Sequence, residues 1–211
     1  MARARRRRRE RPVHPTRQLL VDTTVGLLDR FAPEELTGDQ VLAESGVARG
    51  SLYHHFEDLS ELIATAQVVR FTLFVDRSIA ALTDAVEGAA DRRSFLERIR
   101  LVTEATQAPE RSQFRLERAG VIAAAGSDER MRRMLAAEQA RLTDALTGLI
   151  RQAQERGFYR QDFDARACAV LIQAYTLGRI VDDIVDVQVD PAAWNDLIMR
   201  IIRGVLASPE P

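Results

Sequence analysis

The chain has 211 residues, 46% of them apolar, and a net charge of −1, enough for one large domain or two small ones with a full core. It holds no long apolar run and no apolar stretch behind its charged start, so neither a transmembrane helix nor a secretory signal is expected. A single cysteine, Cys168, excludes an internal disulfide and fits the reducing cytoplasm.

Residues 1–12 (MARARRRRRERP) are low in complexity and cannot build a core, so they are read as a disordered Arg-rich tail. Residues 1–17 carry eight Arg against Glu10, a net +7, whereas residues 18–56 sum to −4. All 30 basic residues are Arg. That compositional bias prevents reading any one Arg as chosen over Lys for its forked donors.

Helical periodicity starts near Thr16, with Leu19, Leu20, Thr23, Leu27, Leu28 and Phe31 on one broad face, and Pro33 stops it. Thr37 can cap a second, short helix running through Ser45. Gly46-Val47 makes a turn, and a third short helix covers Arg49–His55. Asp58 or Ser60 can cap a fourth helix that reaches the mid-80s. A fifth covers Arg92–Ala108, and a sixth opens at Pro109 and ends near Gly126. Ser127 is a good cap for a seventh, which ends at Gly157. Asp162 or Asp164 caps an eighth, expected to continue through Ile184, and Pro191 opens a ninth that lasts to about Leu206. No strand-like alternation is visible. The fold class expected is all-α, about nine helices, with a small N-terminal domain at 13–60 and a larger helical domain at 61–207.

Three short helices, the last preceded by a Gly-containing turn, have the layout of a helix-turn-helix. A recognition helix must present one face to the major groove while its other face is anchored. Val47, Leu52 and Phe56, with Val41 and Leu42, supply anchors. Arg49, Gly50, Ser51, Tyr53, His54 and His55 form the outer face, small residues and donors suited to phosphates and base edges.

The run Ser45-Gly46-Val47-Ala48-Arg49-Gly50-Ser51-Leu52-Tyr53-His54-His55-Phe56, with Leu62 six residues on, resembles the signature of TetR/AcrR-type transcriptional regulators. The resemblance implies a double-stranded operator as partner, a phosphate contact from Thr37, base-edge contacts from Arg49, Gly50 and Ser51, and backbone contacts from Tyr53 and His55, with His54 reaching either. It also implies a homodimer, a small-molecule effector that releases the DNA, no cofactor and no enzymatic activity. Three residues depart from the pattern. Ala48 replaces the Ser that caps the recognition helix, Leu59 stands where a phosphate-binding Lys is usual, and Leu42 replaces a small Ala.

For the effector, Phe71, Phe74, Phe95, Phe114, Met131, Met134 and Tyr175 are the candidate apolar contacts, with Gln113 and Arg118 as polar ones. For the dimer, one stripe of the eighth helix (Val170, Ala174, Leu177, Val181 and Ile184) is joined by Trp194, Ile198, Ile201 and Val205 of the ninth.

Two other readings compete. Asp182, Asp183 and Asp186 spell DDxxD, which on a continuous helix could hold Mg²⁺ in an all-α enzyme. Alternatively, the long helices could serve as an interaction module. His54 and His55 point about 100° apart on a helix and cannot chelate one ion well, so no metal site is expected.

Overall fold

The computed structural model describes residues 14–209. The predicted tail at 1–12 lies outside the described residues. The contacts divide the chain into two units, the first ending at Arg70 and the second beginning at Phe71. Within the described residues the structure is helical, with no strand beyond an isolated bridge between Tyr159 and Ala207.

The first unit holds α1 (Pro15–Leu27), α2 (Gly38–Ser45), α3 (Arg49–His55) and the start of α4 (Leu59–Glu87). Leu20, Val21, Leu27, Leu36, Val41, Leu52, Phe56, Leu62 and Ala66 form its core. α1 ends earlier than Pro33, which instead opens a 3₁₀ turn at Pro33–Glu35. Thr37 caps α2 as predicted. Its hydroxyl accepts from the Gln40 N–H at 3.3 Å, and the Gln40 side chain accepts from the Thr37 N–H at 2.7 Å. Gly46 closes α2 at φ +68°, a left-handed backbone that favours glycine. At the start of α4 the capping carboxylate is Asp58, which accepts from the Glu61 N–H at 2.8 Å.

The second unit contains the rest of α4, α5 (Arg92–Gln107), α6 (Ser112–Ala124), α7 (Glu129–Glu155), α8 (Ala165–Gly178), a four-residue α9 (Ile180–Asp183) and α10 (Pro191–Ile201). α10 runs on as a π-helical turn, Ile202–Leu206. Pro109 opens a 3₁₀ turn ahead of α6. α7 is capped by Asp128, not Ser127: the carboxylate accepts from the Arg130 and Met131 N–H groups, while the Ser127 hydroxyl donates to the Ala124 carbonyl. Gly157, at φ +71°, ends α7. Asp164 caps α8 through the Ala167 N–H.

The largest difference from expectation is the end of α8. The helix does not continue to Ile184; it breaks at Arg179. Long-range side-chain bonds converge on this break. Arg179 is buried and donates to the Gln107 carbonyl at 2.6 Å, while Gln107 accepts from the Trp194 indole N–H at 3.0 Å. Asp183 forms a bidentate pair with Arg115, both bonds 2.6 Å, and Arg115 also donates to the Thr106 and Ala108 carbonyls. Two guanidinium groups therefore satisfy carbonyls at the C-terminal end of α5, where helix carbonyls lack partners and negative potential gathers.

The Arg115–Asp183 pair is almost fully buried, so removing one partner strands the other charge. Arg115→Met is expected to cost about 3–5 kcal/mol of unfolding free energy. The double variant R115M/D183L should recover most of that loss. Urea denaturation of the three proteins checks it; a loss under 1 kcal/mol for the single variant would contradict the role.

Candidate nucleic-acid interface and interior site

The interface is built from α3. Its inner side chains, Leu52 and Phe56, are 1% and 2% exposed within the first unit's core, and Val47, Leu42 and Leu59 pack against that core half-buried. With these anchors fixed, the helical period turns Arg49, Gly50, Tyr53 and His54 outward, with Ser51 and His55 at the margin. Tyr53 is 53% exposed. Leu59 cannot serve as a phosphate contact, since its side chain is apolar and turned to the core.

Ala48 occupies the cap position of α3 and makes no side-chain cap hydrogen bond. Arg49 is paired with Asp39 of α2, both side chains well exposed. The Thr37 hydroxyl is engaged in the Gln40 capping box and donates to its Oε1 at 2.8 Å. Two of the predicted DNA contacts thus already have protein partners.

A feature that sequence reasoning missed lies at the start of α1. The His14 ring packs on His55 at 4.6 Å, and Arg17 sits over the Phe56 ring at 4.7 Å. The point where the Arg-rich segment joins the described chain is therefore against the C-terminal end of α3. Partial burial, then the neighbouring His14, His54 and Arg17 charges, push the His55 imidazole below its usual pKa. No local sequence signal joins residue 14 to residue 55; both pairs are tertiary contacts.

In the second unit the predicted effector residues fall into separate groups. Phe71 and Phe74 of α4 pack ring on ring at 5.9 Å, and Phe74 meets Phe114 of α6 at 5.3 Å. Phe95 is elsewhere engaged, stacked on Phe158 at 5.1 Å and edge-on to Tyr159 at 5.0 Å. Met131 is buried and Met134 half-buried. Tyr175 is half-buried on α8, and its phenol interacts with the Thr103 and Thr176 side chains. Of the two polar candidates, Gln113 faces outward and bonds Glu117. Arg118 is buried.

The dimer residues also divide. Val170, Ala174, Val181, Ile184, Ile201 and Val205 are exposed, and Leu177 is half-buried. Ile198, at 6% exposure, is packed inside its own chain. Trp194 is half-buried, bonded to Gln107 and lying under Arg179 at 5.7 Å. Ile198 is a correction: its burial comes from the chain itself. Val181 and Ile184 fall beyond the break in α8 and do not extend its stripe.

The DDxxD reading fails on geometry. Asp183 is committed to Arg115, Asp182 accepts from the Val189 N–H at 3.2 Å, and Asp186 lies outside any helix. No cluster of metal-ligating side chains occurs among the described residues. Burial pushes the Cys168 thiol up to about 11, so it is not poised as a thiolate. No helix among the described residues is long and apolar enough to cross a membrane.

The architecture, an N-terminal helix-turn-helix followed by a larger helical unit, is the fold of TetR-family transcriptional regulators. Solved structures agree on this. Escherichia coli NemR in its reduced form matches at TM-score 0.66 and 18% identity, over 93% of this chain and 100% of that one. A TetR-family regulator from Cytophaga hutchinsonii matches at 0.67 and 16%, over 92% and 96%. A Saccharomonospora viridis protein described as a transcriptional regulator and solved with choline matches at 0.67 and 19%, over 92% and 98%. At these identities the likeness establishes the fold. No protein-family model and no curated protein matches the chain.

The uncapped start of α3 gives a direct check. Ala48→Ser should add a hydroxyl acceptor for the free N–H groups and stabilise the protein by about 1 kcal/mol. Thermal and urea unfolding measure this; a fall in stability would mean that the helix start is misplaced.

Proposed function

We propose that the chain is a DNA-binding transcriptional regulator that reads an operator with α3 as a homodimer, acts in the cytoplasm, and is released from DNA by a small, largely apolar effector. The observation that carries this reading is the seven-residue α3, anchored by Leu52 and Phe56 with Arg49, Gly50, Tyr53 and His54 turned outward. The TetR-type fold supports it. A repressor role is the family default and is adopted on that ground.

Residues 18–56 are net acidic, so α3 and its surroundings offer little general attraction for phosphates. The Arg-rich segment, joining the chain beside His55, is proposed to supply it. In a gel shift against the gene's own upstream region, Arg49→Ala should weaken specific binding by about 1–3 kcal/mol. Asp39→Asn, which frees Arg49 and removes a negative charge, should strengthen it. Deleting residues 2–11 should flatten log affinity against log salt by about 0.9 per lost phosphate contact. An unchanged slope removes the tail from the account; absence of any shift with the full chain removes the regulator reading.

The proposed dimer surface is the exposed apolar stripe of α8 and α10, with Val170, Leu171, Leu197, Ile201 and Val205 each more than 40% exposed. The occupant is a second copy, because two recognition helices reading adjacent half-sites require a two-fold axis. Light scattering should give twice the 23.7 kDa chain mass, and V170E/L197E should give the single mass while remaining helical. A wild-type monomer at micromolar concentration would contradict the dimer.

Release requires that the effector bind the DNA-free state more tightly than the bound one. α4 contributes residues to both units and carries Phe71 and Phe74, so it is the proposed route from effector to α3.

A further inference from the structure

Three arginines in the second unit are buried, and only Arg115 has a carboxylate partner. Arg115 has Asp183 and two carbonyls; Arg179 has the Gln107 carbonyl. Arg179 keeps that carbonyl although its Nε has no partner, whereas Arg118, one turn after Arg115 on α6, has neither a carboxylate nor a carbonyl. It is 7% exposed, its Nε has no hydrogen-bond partner, and among the described residues no carboxylate or carbonyl meets its guanidinium. What it has instead is aromatic faces. Its guanidinium carbon lies 4.4 Å from the Phe74 ring centre and 5.7 Å from that of Phe71, with Phe114 against Phe74.

A charge buried without a counter-charge is costly, and aromatic faces return only part of that cost. Burial lowers the guanidinium pKa to about 10, which still leaves it charged at neutral pH. We propose, building on the reading of this unit as an effector-binding domain, that the effector is an apolar monoanion, a carboxylate on a hydrocarbon or aromatic body, whose charge pairs with Arg118 while its body lies against Phe71, Phe74 and Phe114. The forked guanidinium matches a carboxylate in geometry and in charge. A quaternary ammonium ligand, which favours aromatic faces elsewhere, is excluded from these rings because a cation already occupies them.

The test uses the full chain and the variants Arg118→Met and Arg118→Lys, with decanoate and 4-phenylbutyrate as anions. Decanol and 4-phenylbutanol are the neutral matches and decyltrimethylammonium is the cation, all below their aggregation limits. Melting curves should rise by several degrees with at least one carboxylate and by far less with its alcohol or with the cation. R118M should bind that carboxylate at least tenfold more weakly, and R118K should fall between. Without ligand, R118M should melt at or above the wild-type temperature, because it removes an unpaired buried charge; a purely structural arginine would give a lower one. Carboxylate and alcohol acting equally, R118M binding the carboxylate as wild type does, a lower R118M melting temperature, or no shift with either carboxylate would each overturn the proposal. The same upstream DNA separates it from the reading it rests on. A wild type that binds DNA and is released by an alcohol or the cation, equally in R118M, sinks only the anion. Carboxylate binding that leaves DNA affinity unchanged keeps the anion site and sinks the release.

Discussion

The burial of Leu52 and Phe56 is the constraint on which the rest of the first unit depends. A seven-residue helix is too short to hold its shape alone in water, so its conformation and its rotation are set by what it buries. Two large side chains four apart fix one face against Leu20, Val41 and Leu62. The period of the helix then leaves no choice about the opposite face. Arg49, Gly50, Tyr53 and His54 are outward because Leu52 and Phe56 are inward. An outward face made this way is held by burial, so Ala48 can stand at the cap position without a side-chain hydrogen bond.

Charge placement governs the second unit in the same manner. The C-terminal carbonyls of α5 collect Arg115 and Arg179 from two other helices, and Asp183 neutralises the first of them. The break in α8 falls at the same residue, Arg179. Against that background Arg118 stands out because the other two buried arginines each reach at least one α5 carbonyl and it reaches none. Its aromatic neighbours supply a lining, and its missing counter-charge marks what the lining lacks.

Legibility in the sequence followed the range of the forces involved. α3 was readable to the residue because its determinants are local: Gly46 for the left-handed turn, then Leu52 and Phe56 at helical spacing. The cap Thr37 was readable for the same reason and Asp58 and Asp164 each as one of two candidates, while Ser127 and Asp128 compete for one N-terminus and the chain uses the hydroxyl to close the preceding helix. The break in α8 was not readable, since Gly178 there has no special backbone angle and the bonds that Arg179 makes at the break reach Gln107, 72 residues away. Gln113 and Arg118 are equally polar in the sequence, and only the packing of α6 sends one outward and the other inside. The placing of His14 on His55 had no sequence signal at all.

The central claim is that α3, presented twice by a symmetric pair, reads the major groove. Hydroxyl-radical and methylation footprinting on DNA selected from the source genome by the full-length protein tests it most directly. The account predicts two protected major-groove patches, centred about 34–36 Å apart on one face of the duplex, with guanine N7 methylation interfering in each. Selected DNA with no common site, or protection confined to the backbone without base interference, would contradict it.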